Sequence, residues 1–356
     1  MDIRIEANEN LKDKSLLDKG DLPFGVFFTD HMFMMDYSPE KGWWDKRIVP
    51  YGPLSIDPST SCLHYGQMLF EGLKAYKQTD GKIALFRPLE NMRRLNESAL
   101  RICMPEIDPE DTLDALLKLL NMEKGWIPSA PESSLYIRPF MYATDPFLGL
   151  RPSERYQFAI ILSPVGPYYG KDGLTPVRIF VEQEYVRAVR GGTGYAKCAG
   201  NYAGSLRSQM SAGKRGFNQV LWLDAIHRKY IEEVGAMNVF FVVGDTVITP
   251  ALSGSILPGI TRKSIIEILV ERGVKVEERP VSIDELAKAF DEGKLQEAFG
   301  SGTAAVVSPI GELTYGEKTM GLTKDKPGRI TREIYDELTG IQYGLRSDNR
   351  GWVHYI

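Results

Sequence analysis

The chain has 356 residues, 43% of them hydrophobic and 25% charged, which is ordinary globular composition and enough for two packed domains. A formal net charge of −4 provides no global basic field, which argues against nucleic acid or an anionic membrane as main partner and leaves small molecules. The opening MDIRIEANEN has neither a basic nor an apolar region, and no apolar run approaches the roughly 20 residues of a spanning helix, so a cytoplasmic protein is expected. Cys62, Cys103 and Cys198 are too few and too scattered for a disulfide framework, and His31, His64, His227 and His354 show no ligand spacing, so no metal is implied.

In chain order, GVFFTDHMFMMDYS (25–38) reads as a strand, because β-branched and aromatic residues cluster there between breakers. ENMRRLNESALRI (90–102) and PEDTLDALLKLLNMEKG (109–125) carry apolar residues at helical spacing, the second after an Asp108-Pro109 start signal. SSLYIRPFMYATD (133–145) and YQFAIILSPVG (156–166) read as further strands. GPYYGKDGLTP (166–176) then concentrates Gly, Pro and Asp without periodicity, as a connection between domains does. The expected division is therefore an α+β domain over 1–165, a loop over 166–176 and a mixed α/β domain over 177–356. In the second domain, strands are expected at 177–188, 218–224 and 237–250, and helices near 202–214, 261–273, 283–293 and 328–340.

Three stretches could carry chemistry. In GGTGYAKCAGNYAG (191–204), Lys197 is set among glycines. A P-loop needs Gly-Lys-Ser/Thr and a dinucleotide fingerprint needs glycine where Lys197 stands, so neither fits. Lys197 is then either a solvated loop lysine or an amine nucleophile toward an aldehyde cofactor, a role for which it must shed its proton. In YIEEVGAMNVFF (230–241), Glu232 or Glu233 could face the ring nitrogen of pyridoxal phosphate and keep it protonated; a solvated strand end is the other reading. Phosphate could be met at the helix start in ILPGITRKSIIEIL (256–269), where Leu257, Pro258 and Gly259 precede Ile260 and Thr261, because the first N–H groups of a helix and its dipole suit an anion. FGSGTAAVV (299–307) offers a second small-residue turn with backbone N–H groups.

Together with HYGQMLFEGLKAY (64–76), LFRPLENMRRL (85–95), SLYIRPF (134–140) and NQVLWLD (218–224), these stretches stand in an order that resembles the branched-chain amino acid aminotransferases. The resemblance implies a two-domain, D-amino acid aminotransferase-like fold, the fold type IV of pyridoxal 5′-phosphate enzymes, and an active homodimer. It implies that Lys197 binds the cofactor covalently and moves the proton at the substrate Cα. It selects Glu233 for the ring nitrogen and Tyr202 for the ring hydroxyl. For the phosphate it selects Arg94, Ile260, Thr261 and Thr303, with Leu257 and Gly259 in the same turn. Tyr65, Phe70, Tyr136 and Tyr168 would box the substrate side chain, Thr303 and Ala304 would take the α-carboxylate on their N–H groups, and Arg138 would answer the side-chain carboxylate of glutamate. Ala236 departs from the threonine of some members, and Ala305 and Ser308 stand where mammalian members have a Cys-x-x-Cys pair. D-amino acid aminotransferase and aminodeoxychorismate lyase share the fold and are the rival activities.

Overall fold

The computed structural model describes residues 2–19, 22–167, 174–323 and 325–356. It divides into two compact units, one of residues 1–166, 196–199 and 340–356, the other of residues 167–195 and 200–339. The change of unit between Gly166 and Pro167 falls in the stretch that the Gly/Pro composition marks out. The return of 340–356 to the first unit has no signal in composition, and neither does the inclusion of the four residues around Lys197.

The first unit opens with β1 (Arg4–Ile5), β2 (His31–Ser38) and β3 (Gly42–Pro50), then α1 (Ser61–Tyr65), β4 (Met68–Phe70), β5 (Leu73–Lys77) and β6 (Ile83–Phe86). Helices α2 (Pro88–Arg101) and α3 (Pro109–Met122) follow, then β7 (Ser134–Ala143) and β8 (Tyr156–Val165). Asp108 caps α3 by accepting the Asp111 N–H at 2.8 Å, with Pro109 at the first helical position; such a cap is worth about 1 kcal/mol. The apolar faces of α2 and α3, through Met92, Leu95, Leu113, Leu116 and Leu120, join Phe33, Phe158 and Trp126 in one buried cluster.

The second unit contains β9 (Val177–Val181), α4 (Ala199–Lys214), β10 (Gln219–Leu223), β11 (Ile231–Val234), β12 (Asn238–Val243) and β13 (Thr246–Thr249). It continues with α5 (Ile260–Glu271), β14 (Lys275–Glu278), α6 (Ile283–Asp291), β15 (Leu295–Gly302), β16 (Val306–Tyr315), β17 (Lys318–Gly321) and α7 (Arg329–Gln342). The last strand, β18 (Val353–Tyr355), pairs with β6. Among the described residues each unit is built on a nine-stranded sheet. The first runs β1-β3-β2-β8-β7-β5-β6-β18 with β4 on β7, and the second runs β11-β10-β9-β16-β15-β12-β13-β14 with β17 on β16. The first is antiparallel except where β1 meets β3; the second has parallel pairs at β9–β10, β9–β16 and β13–β14. None of the described helices is long and apolar enough to cross a membrane.

Several elements end where local chemistry, not periodicity, decides. The strand expected over 25–38 begins only at His31, after a turn in which Gly25 has φ 71°. The strand expected over 177–188 stops at Val181, because the Glu182 carboxylate accepts the N–H groups of Glu184 and Tyr185 and bends the chain away. The single strand expected over 237–250 is a hairpin, β12 and β13, turning at Gly244 with φ 61°. The strand β3 is absent from the sequence expectation; most of its residues are half-buried, so its pattern of apolar positions is weak.

Candidate active site

In the first unit the backbone of Lys197 is pinned on both sides. Its carbonyl accepts the Phe70 N–H at 3.1 Å, its N–H donates to Ser98 Oγ at 2.9 Å, and Cys198 makes an isolated β-bridge with Leu69. The side chain is half-buried, with Nζ 4.9 Å from the centre of the Phe70 ring. A solvated loop lysine therefore does not describe it: a short segment is seated against β4 and α2 by hydrogen bonds of the Lys197 main chain.

Next to Phe70 lies a residue whose role no motif spacing announces. Glu71 is fully buried and accepts from Arg94 Nε at 2.7 Å, Arg94 Nη2 at 2.9 Å, Asn91 Nδ2 at 2.8 Å and the Gly72 N–H at 3.1 Å. Burial pushes the Glu71 carboxyl up, but the Arg94 charge and hydrogen bonds outweigh it, helped by Lys197 and Asn91, and hold the group below the usual carboxylate range. Arg94, expected at the phosphate, is thus a buried arginine presented in a fixed plane by a two-point carboxylate pair. Its partner Glu71 stands 23 residues away, inside LFEGLKAY.

The expected substrate groups partly converge. Phe70, Tyr136 and Arg138 meet: the Arg138 guanidinium lies 4.6 Å from the Phe70 ring centre and 5.2 Å from that of Tyr136, and Nη2 donates to the Tyr136 hydroxyl at 3.0 Å. Arg138 Nε is buried and has no hydrogen-bond partner. Gly72 makes room for Tyr136, since a Cβ there would overlap the tyrosine hydroxyl. Lys74, opposite Tyr136 across β5 and β7, is buried, and burial lowers its ammonium to about 8 against the opposing charge of Glu132. Tyr65 is 46% exposed and donates its hydroxyl to the Leu148 carbonyl at 2.6 Å. Tyr168 lies outside the described residues.

In the second unit Glu232 and Glu233 are both buried, which sets aside the solvated strand end. Their partners differ. Glu233 Oε1 accepts the Leu257 N–H at 2.7 Å and pairs with Arg187 Nη2 at 3.1 Å, whereas Glu232 Oε1 accepts the Ser255 hydroxyl. The α5 N-terminus has Gly259 as its cap, which offers no capping side chain, and buried Ile260 and Thr261 behind it. Asn238 holds the turn by donating to the Leu257 carbonyl at 2.9 Å, and a Cβ on Gly259 would overlap its side-chain oxygen. Thr303, Ala304 and Ala305 form the three-residue turn between β15 and β16, closed by the Gly302–Val306 pair. Val306 has φ 58°, a conformation rare for a β-branched residue and of the kind that persists where surrounding structure enforces it. Tyr202 is half-buried in the first turn of α4.

Gly194, three residues before Lys197, leads into the lysine segment. A Cβ there would overlap the Ser255 carbonyl oxygen and the Ala188 Cβ, so the backbone must shift to accept one. Gly194→Ala is expected to lower stability by about 1–3 kcal/mol, read as a lower midpoint in urea at unchanged slope; a neutral result would mean that the segment is loosely held.

The first unit thus holds the lysine segment and the Glu71–Arg94 pair, and the second holds the Arg187–Glu233 pair, the α5 start and the small-residue turn. The family model described as Amino-transferase class IV matches residues 68–313, and the chain belongs to that family. It is 54% identical over 351 residues to branched-chain-amino-acid aminotransferase 2 of Bacillus subtilis, covering 99% of this chain and 96% of the relative. It is 44% identical to the branched-chain-amino-acid aminotransferase of Mycolicibacterium smegmatis, covering 99% and 98%. Among solved structures, the branched-chain amino acid aminotransferase of Escherichia coli aligns with TM-score 0.75 and 27% identity over 91% of this chain and 98% of that one.

Proposed function

We propose that this chain is a branched-chain-amino-acid aminotransferase that transfers the amino group of leucine, isoleucine or valine to 2-oxoglutarate, with pyridoxal 5′-phosphate as cofactor. The observation that carries the reading is the 54% identity to an enzyme of that name over 99% of the chain. The cofactor fits the residues present: the uncapped α5 start behind a glycine that tolerates no Cβ suits a phosphate, and the buried Glu233 carboxylate suits a protonated ring nitrogen. When bound, pyridoxal phosphate supplies the electron sink for the substrate carbon.

In this reading Lys197 holds the cofactor covalently and carries a proton to and from the substrate Cα. Glu233 holds the ring nitrogen and Tyr202 the ring hydroxyl. Arg94, aligned by Glu71, meets the phosphate together with the N–H groups of Ile260 and Thr261 in the Leu257–Gly259 turn and with Thr303. The aromatic wall of Phe70 and Tyr136, with Tyr65 and Tyr168, excludes water around an aliphatic side chain, and Arg138 answers a carboxylate there. The Thr303 and Ala304 N–H groups receive the α-carboxylate. A homodimer and a cytoplasmic setting belong to the same proposal.

A panel of amino acids tested with 2-oxoglutarate as acceptor checks it. Leucine, isoleucine and valine are expected to react far faster than alanine, aspartate or any D-amino acid. Preferential use of D-alanine would overturn the assignment.

A further inference from the structure

We infer that Arg187 is a positioning residue for the ring-nitrogen acid: paired with Glu233, it holds that carboxylate ionised and oriented, so that the proton shared with the cofactor stays on the nitrogen. The inference rests on the reading of Glu233 just given. The side chains of Arg187 and Glu233 are 8% and 3% exposed, and Nη2 lies 3.1 Å from Oε1. A pair so buried escapes the solvent screening that makes surface ion pairs weak, and neither partner can be removed without leaving an uncompensated charge. Arg187 Nη2 also donates to the carbonyl oxygens of Gly194, at 3.1 Å, and Ser255, while the Leu257 N–H fixes the same Glu233 oxygen at 2.7 Å. One guanidinium therefore ties the acid to the turn that leads into the lysine segment.

The neighbouring acid shows the contrast. Glu232 has the Ser255 hydroxyl on Oε1 and no hydrogen-bond partner on its buried Oε2. Burial pushes it above the usual carboxylate range; Ser255 and Arg187 oppose this, while Glu233 and Asp224 add to it. Of the two adjacent buried acids, Glu233 pairs with the arginine at 3.1 Å, and that contact favours the negative charge on Glu233. A carboxylate and a pyridine nitrogen compete for one proton. A cation in contact with the carboxylate lowers the carboxylate's proton affinity more than that of the nitrogen beyond it, which favours the protonated ring. Arginine suits this task because it does not lose its own proton in the working range.

The test uses the holoenzyme loaded with pyridoxal phosphate labelled with ¹⁵N in the ring, and reads the ¹⁵N chemical shift, which separates pyridinium from neutral pyridine. Wild type and Arg187→Lys are expected to give the pyridinium signal at neutral pH. Arg187→Gln, which keeps hydrogen-bond donors but no charge, is expected to move toward neutral pyridine, with kcat falling about ten-fold or more and KM little changed. Glu233→Gln is the control. If Glu233→Gln moves the signal and Arg187→Gln does not, the inference about Arg187 fails alone; if Glu233→Gln leaves it in place, the assignment of Glu233 fails. Should Arg187→Gln not fold, Arg187→Lys decides, because its ammonium loses charge as pH rises. The pyridinium signal must then disappear at lower pH than in the wild type, and identical titrations overturn the inference.

Discussion

Lys197→Ala is expected to remove the covalent link to the cofactor, seen as loss of the characteristic visible absorbance of the purified protein, and to slow transamination by about 10²–10⁴-fold or more. The fold should survive the change. The segment is held by main-chain bonds from Phe70 to the Lys197 carbonyl and from the Lys197 N–H to Ser98, and none of these uses the side chain. Cofactor binding through the phosphate contacts should also persist, so equilibrium dialysis with pyridoxal phosphate separates loss of chemistry from loss of the site. A variant that keeps both the absorbance and wild-type turnover would remove Lys197 from the centre of the mechanism.

Arg138→Met should split the two half-reactions. On the proposed function, a branched aliphatic side chain is seated in one and the carboxylate of glutamate in the other, and a lone carboxylate among Phe70 and Tyr136 is costly unless a cation answers it. Arg138 is the cation that the geometry brings to those two rings, with its Nε buried and unpartnered and its Nη2 on the Tyr136 hydroxyl. Its loss is expected to weaken the glutamate and 2-oxoglutarate half-reaction by about 2–4 kcal/mol and the leucine half-reaction by much less. Single-turnover kinetics with each amino acid measure the two separately. Equal losses would mean that Arg138 binds the α-carboxylate common to both substrates, or that it only supports Tyr136.

Much of this protein was determined by its sequence alone. Composition and charge point to small-molecule chemistry, helix periodicity marks α2 and α3, and the clustered small residues around Lys197, before Ile260 and after Phe299 mark places where backbone must come close to something. The ordered set of motifs carries the family, which the match over residues 68–313 bears out.

What only the tertiary structure decided is how the buried charges pair. Glu71 reaches Arg94 across 23 residues, Arg187 reaches Glu233 across 46 positions of sequence, and Ser255 separates Glu232 from its neighbour by taking one and not the other. Alternation along β11 says that two adjacent residues face opposite sides; it does not say which side holds the arginine. The strand end at Val181 and the turn at Gly244 were hidden for the same reason, because a side-chain cap or a positive φ overrides a run of apolar residues. Periodicity reports which residues leave water, since burial is set by residue type along each element. The partner a buried charge finds depends on chain crossings that bring distant residues within about 3 Å, and no local pattern encodes that distance.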